Sequence, residues 1–176
     1  MMDVLNSLDP PPVFDPVRCA GGQDGLVGCR ACIEACPYGA TTARQYPEGA
    51  TITIDAWACR RCGACTATCP TSALERGYQP DDELRALVDA AVAGRDEGVV
   101  IALACDGGVE RLGGLPGVVP IALRSLLIVE ETLLLHALRA GAGGVAVLPC
   151  ASCDHGAAAL LDLRRARRSA TPWSSR

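Results

Sequence analysis

Five residues of this chain recur at one fixed displacement: Cys29, Cys32, Cys36, Pro37 and Ala40 return 33 residues later as Cys62, Cys65, Cys69, Pro70 and Ala73. Units this short cannot bury an apolar core of their own. Between the halves, Thr51-Ile52-Thr53-Ile54-Asp55 alternates with the period of a strand. The repeat therefore implies two copies of a loop–helix–strand unit whose centre is filled by something other than side chains. The chain holds 11 cysteines in 176 residues, and two chemistries use thiols at that density, a disulfide framework and metal ligation. A disulfide framework needs an oxidising compartment, and export needs a signal. The opening MMDVLNSLDPPPVFDP has neither a positive start nor an apolar run. The expectation is a cytoplasmic protein with reduced thiols free to take metal.

The second run is Cys59-x2-Cys62-x2-Cys65-x3-Cys69-Pro70. Cysteines at every third position wrap three corners of a cubane from one side. The fourth cysteine, followed by proline at the first turn of a short helix, serves the other cluster. The first run, Cys29-x2-Cys32-x3-Cys36-Pro37, has Leu26 where its leading cysteine belongs, and the nearest upstream thiol is Cys19. The intervening Ala20–Gly28 segment is glycine-rich, so it can fold back at modest closure cost. Cluster A is thus assigned to Cys19, Cys29, Cys32 and Cys69, and cluster B to Cys59, Cys62, Cys65 and Cys36. The displaced Cys19 leaves open whether cluster A holds three irons or four. Zinc is the alternative, since paired C-x2-C units also build zinc ribbons. A ribbon needs neither the third cysteine nor the x3-Cys-Pro extension, and both occur twice here.

With these motifs, residues 18–78 resemble the two-cluster bacterial ferredoxins at seven of eight ligand positions. That resemblance implies two [4Fe-4S] clusters and one-electron transfer. The fold expected for the whole chain is α+β, a ferredoxin-like dicluster domain followed by a small parallel α/β domain. Residues 1–17 read as an extended Pro-rich arm, 79–97 as a connecting helix, 98–168 as the α/β domain and 169–176 as a disordered tail.

The second half changes texture. Gly98–Ala104, Val118–Leu123 and Gly144–Leu148 are short apolar strands, and Leu126–Arg139 has helical periodicity ending at Gly141. Strand, helix and strand joined by short turns argue a parallel unit. Cys105, Cys150 and Cys153 directly follow strands, on the edge where such sheets place function. They make a candidate third site, although a buried cysteine is also an ordinary small hydrophobe. This half resembles the delta (iron–sulfur) subunit of methyl-viologen-reducing hydrogenase. The matching residues are Ala104-Cys105-Asp106-Gly107, His136–Val145 and Cys150-Ala151-Ser152-Cys153-Asp154-His155. The resemblance implies a [2Fe-2S] cluster and a flavoprotein partner. The cysteine pair that the family places before the first strand is missing here, so three thiols remain, and either His155 or Asp154 supplies the fourth ligand or no cluster forms.

Composition narrows the function further. Net charge is −4 and all 16 basic residues are arginine, which argues against a nucleic-acid partner. The longest apolar stretch, Val118–Ala140, is broken by Arg124, Glu130, Glu131, His136 and Arg139, so no membrane span is expected. Glu130 and Glu131 read as a solvated helix face, and Arg164, Arg165, Arg167 and Arg168 as a helix end. No nucleophile constellation or phosphate loop stands out. The reading is an electron-transfer subunit of an oxidoreductase complex, of the hydrogenase, formate dehydrogenase or heterodisulfide reductase kind, with redox proteins as partners and no catalytic residues of its own. The alternative is a thiol-redox protein in which Cys150 and Cys153 cycle between dithiol and disulfide, with the ferredoxin half as electron source.

Overall fold

The computed structural model describes residues 9–21, 29–46, 49–95, 98–112 and 114–149. The chain divides into two compact units, Met1–Ala86 with Ile128–Leu133, and Leu87–Leu127 with Leu134–Arg176.

In the first unit each cysteine run builds a four-residue helix, α1 (Ala31–Glu34) and α2 (Ala64–Ala67). Both stop ahead of a Cys-Pro pair, because proline disfavours helical geometry in the residue before it. A strand follows each helix, β2 (Thr41–Tyr46) after the first and β4 (Leu74–Glu75) after the second. β2 pairs antiparallel with β3 (Gly49–Ile54), and β4 pairs antiparallel with β1 (Val13–Phe14). The proline-rich lead is thus drawn into the module by its Val13-Phe14 pair. In β3 the threonines Thr51 and Thr53 face out, while Ile52 is buried and Ile54 half-buried. This is the pattern of a strand with one wet face. Ile52 shares a core with Leu74 and two cysteines, Cys32 and Cys65, with Phe14, Ile33 and Ile54 packed around them. Helix α3 (Asp81–Val92) follows Pro80 with Asp81, Asp82 and Glu83 in its first turn, where acidic side chains complement the helix dipole.

The second unit is built on a three-stranded parallel sheet in the order β6-β5-β7. β5 (Val100–Cys105) is central, and Ile101, Ala102, Leu103 and Ala104 are sealed from solvent. An unbroken apolar run suits a parallel strand covered on both faces. β6 (Val118–Leu123) is an edge strand among the described residues, where Pro120 and its missing N–H are tolerated. A short helix α4 (Asp106–Val109) and a 3₁₀ turn at Glu110–Leu112 connect β5 to β6. Helix α5 (Glu131–Arg139) precedes β7 (Gly144–Leu148). Gly143 gives the β7 entrance its close approach: a Cβ there would stand 2.4 Å from Gly98 Cα, and its N–H bonds Val99 O at 2.8 Å.

The periodicity over 126–139 predicts a single helix, but the chain makes a 3₁₀ turn at Leu126–Ile128 and starts the α-helix at Glu131. Side chains explain the break. Ser125 Oγ accepts the Leu127 N–H at 3.2 Å. Glu130 O then accepts the Leu133 N–H at 3.1 Å, and the Thr132 hydroxyl donates to Glu130 Oε2 at 3.3 Å. Glu130 is therefore a capping residue, half-buried, while Glu131 is exposed. The C-terminal stop falls where expected: the Ala142 N–H reaches Ala137 O and the Gly141 N–H reaches Leu138 O, a Schellman ending with Gly141 at φ +108°.

Candidate iron–sulfur centres

Two cavities of the first unit are each ringed by four thiols. Cys19, Cys29, Cys32 and Cys69 line one, with Phe14, Ile52, Pro70 and Leu74. Cys36, Cys59, Cys62 and Cys65 line the other, with Tyr38, Ala40, Thr41 and Gly63. These are the two quartets that the motif spacing predicts, with each Cys-Pro cysteine standing among the thiols of the opposite run. The second quartet is the deeper one: Cys59, Cys62 and Cys65 are buried, whereas in the first only Cys32 is.

The place of Cys19 has a local cause that the 33-residue repeat hides. Asp15-Pro16-Val17-Arg18-Cys19 and Asp55-Ala56-Trp57-Ala58-Cys59 are the same device at a displacement of 40. Each follows a strand, β1 or β3. Each aspartate N–H bonds the carbonyl of a repeat-equivalent alanine at 2.8 Å, Asp15 to Ala73 and Asp55 to Ala40. Each carboxylate accepts the N–H two residues on at 2.8 Å, from Val17 and from Trp57. Such Asx turns aim the chain the same way twice. Cys19 is therefore the structural counterpart of Cys59, followed by a seven-residue-longer excursion to the next cysteine. Gly21 sits against both Cys19 Sγ and the Cys29 backbone on that return path.

The electrostatics set the thiols apart by role. Burial pushes Cys65 up to about 12, and the neighbouring thiols Cys62, Cys59, Cys36 and Cys32 push the same way. Cys62 is raised by burial first, with Cys36 and Cys59 adding to it against the Ala64 N–H. Cys32 is raised by burial and then by Cys69, Cys29 and Cys19. The two Cys-Pro thiols go the other way. Burial is the largest single influence on each and opposes ionisation, but hydrogen bonds together outweigh it. For Cys36 these come from the Tyr38, Ala40 and Thr41 amides and the Thr41 hydroxyl; for Cys69, from the Thr71, Ala73 and Leu74 amides and the Thr71 hydroxyl. The Ala40 N–H lies 3.3 Å from Cys36 Sγ and the Ala73 N–H 3.2 Å from Cys69 Sγ. Thiolates crowded like this repel unless cationic metal stands among them.

The geometry fits an iron–sulfur cubane. Its irons lie at four corners, so its ligands ring a volume rather than converge on a point, and N–H groups aimed at sulfur stabilise the ligated thiolates. A single zinc needs all its sulfurs at about 2.3 Å from one centre. Among the described residues, no three of His, Cys, Asp and Glu converge on one ion.

The fold and the thiol quartets define an iron–sulfur protein with a ferredoxin-type domain. Residues 27–73 match the family model of the 4Fe-4S dicluster domain, a segment that takes in seven of the eight thiols and leaves out Cys19. Over 51 residues the chain is 39% identical to a subunit of the ion-translocating oxidoreductase complex of Methanosarcina acetivorans, which is 29% of this chain and 18% of that protein. The chain thus spans less than a fifth of that relative.

In the second unit Cys105 is buried at the carboxyl end of β5. Gly108 stands against its Sγ and against the Leu148 carbonyl of β7. Cys150, Cys153, Asp154, His155, the arginines of 164–168 and the tail 169–176 lie outside the described residues. No helix among those described is long and apolar enough to cross a membrane.

Proposed function

We propose that the chain carries two [4Fe-4S] clusters, one on Cys19, Cys29, Cys32 and Cys69, the other on Cys36, Cys59, Cys62 and Cys65, and relays single electrons through them. The observation that carries this is the pair of cavities, each lined by four thiols, with Cys36 and Cys69 exchanged between the runs. Bound clusters of this kind supply one-electron redox chemistry. The chain's own residues hold and tune them. The Asp15 and Asp55 turns place the leading cysteines, the Ala40 and Ala73 amides stabilise the crossing thiolates, and the core of Cys32, Ile52, Cys65 and Leu74 excludes water.

The chain then acts as an electron-transfer subunit of a larger oxidoreductase complex, of the hydrogenase, formate dehydrogenase or heterodisulfide reductase kind. In support, the Methanosarcina relative is itself a subunit of an oxidoreductase complex. The test is the ligand exchange. In protein purified without oxygen, Cys36→Ala should damage the cluster of Cys59, Cys62 and Cys65 and spare the other. Loss confined to the cluster of Cys29 and Cys32 would mean that each run closes its own cluster, and would overturn the assignment.

A further inference from the structure

At the displacement of 40 that relates the two aspartate turns, Pro12 is the counterpart of Ile52. Ile52 lines the cavity of Cys19, Cys29, Cys32 and Cys69, and Pro12 lines that of Cys36, Cys59, Cys62 and Cys65. Both residues are buried. What holds them differs. Ile52 sits inside β3, which pairs with β2 along its whole length. Pro12 stands ahead of β1, whose pairing with β4 is limited to Val13 with Glu75 and Phe14 with Leu74. Pro10, Pro11 and Pro12 have no N–H, so this stretch has no donor of its own to extend the ladder.

Two contacts stand in for the ladder. The Arg61 Nε donates to the Asp9 carbonyl. Pro10 lies against Gly77 so closely that a Cβ built on Gly77 would stand 2.8 Å from Pro10 Cγ. Residues 9–12 thus form a strap, tied by Arg61 and Gly77 at one end and continuous with β1 at the other, with Pro12 in the cavity wall between. Segments held by so few hydrogen bonds open at low cost. Behind the strap Cys59, Cys62 and Cys65 are buried, whereas Cys29 of the other quartet is exposed.

We propose that residues 9–12 are a protective strap. They close the cavity of Cys36, Cys59, Cys62 and Cys65 against dissolved dioxygen and leave the other cluster as the one that meets it first. This rests on the assignment of iron–sulfur clusters to the two quartets. The step opposed is a one-electron oxidation. Dioxygen takes an electron from a [4Fe-4S] cluster and leaves as superoxide, and the oxidised cluster sheds a ferrous ion, which frees one thiol and leaves three irons. The Pro12 ring has neither donor nor acceptor for water, so it acts by exclusion.

The experiment exposes the full chain, loaded with clusters without oxygen, to air for fixed times, alkylates the freed thiols with iodoacetamide and locates them by mass spectrometry. The wild type should free thiols of the Cys19, Cys29, Cys32 and Cys69 set first. Gly77→Ala pushes on Pro10 from outside both cavity walls, and Pro12→Ala removes two ring carbons from one wall. Each should free thiols of the Cys36, Cys59, Cys62 and Cys65 set roughly tenfold faster, the factor that two buried methylenes are worth in an opening equilibrium. The other set, and the half-life of the visible absorption in urea under argon, should stay at the wild-type values. Pro10→Ala vacates the space that the new methyl needs, so Pro10→Ala with Gly77→Ala should recover the protection. A wild type that frees the Cys36, Cys59, Cys62 and Cys65 set first would overturn the strap's role. So would an unchanged rate in either single variant, an equal acceleration in both thiol sets, an equal loss under argon, no recovery in the double variant, or failure of both single variants to take up clusters. A wild type without iron and sulfide removes the cluster assignment itself, which the metal count reads before any exposure to air.

Discussion

Gly63 is the position where one methyl group tests the packing of the module. It caps α2 at φ +77°, and a Cβ built there would stand 2.3 Å from Ile128 Cγ2 and 3.4 Å from the Tyr78 hydroxyl oxygen. Two penalties add in Gly63→Ala. An L side chain in left-handed geometry costs about 1–2 kcal/mol. Overlap with Ile128, itself 1% exposed, forces a shift of the kind that costs about 1–3 kcal/mol. The sum is about 2–5 kcal/mol. Because clusters lost on unfolding do not return, the quantity to follow is the half-life of the visible absorption at fixed urea under argon. If half of the penalty falls on the unfolding rate, the half-life shortens by roughly 5- to 70-fold. Ile128→Ala removes Cγ2, so in that background Gly63→Ala should cost only the backbone share, about 1–2 kcal/mol. A Gly63→Ala protein as long-lived as the wild type would refute the reasoning. An equal penalty in both backgrounds would refute the contact with Ile128.

Cys19→Ser should leave the Cys36, Cys59, Cys62 and Cys65 cluster intact and turn the other into a three-iron or labile form, read by iron count and EPR; an unchanged spectrum would mean that another residue fills that corner. Arg76 has a side chain only 4% exposed; it pairs with Asp81, donates to Gln79 O at 2.9 Å and stands 3.9 Å from Glu130. Arg76→Met should therefore destabilise the module by about 2–3 kcal/mol, the scale of lost hydrogen bonds to a charged group, seen as faster bleaching in urea. A half-life equal to the wild type would show the network to be dispensable.

The cysteine spacing made the thiol quartets legible, because cubane ligation ties ligand order to sequence spacing. Cys19 was legible only as the nearest thiol. Its physical warrant, the Asp-x3-Cys turn, is present in the sequence but at a displacement of 40, outside the 33-residue register that first draws the eye. The three parallel strands were readable from their apolar runs. The pairing of β1 with β4 was not, since two-residue strands have no periodicity to read. The break at Glu130 was hidden for another reason: apolar spacing continues through it, and the turn is set by the Ser125 side chain and the Glu130 carbonyl, whose effect is geometric.

The central claim is that both quartets hold iron and sulfide. The direct measurement is the metal and acid-labile sulfide content of the full chain, purified and reconstituted without oxygen, together with EPR of the reduced protein. The account predicts about eight irons and eight sulfides per chain, with the signals of two reduced [4Fe-4S] clusters. Zinc in their place, or iron without sulfide, would contradict it.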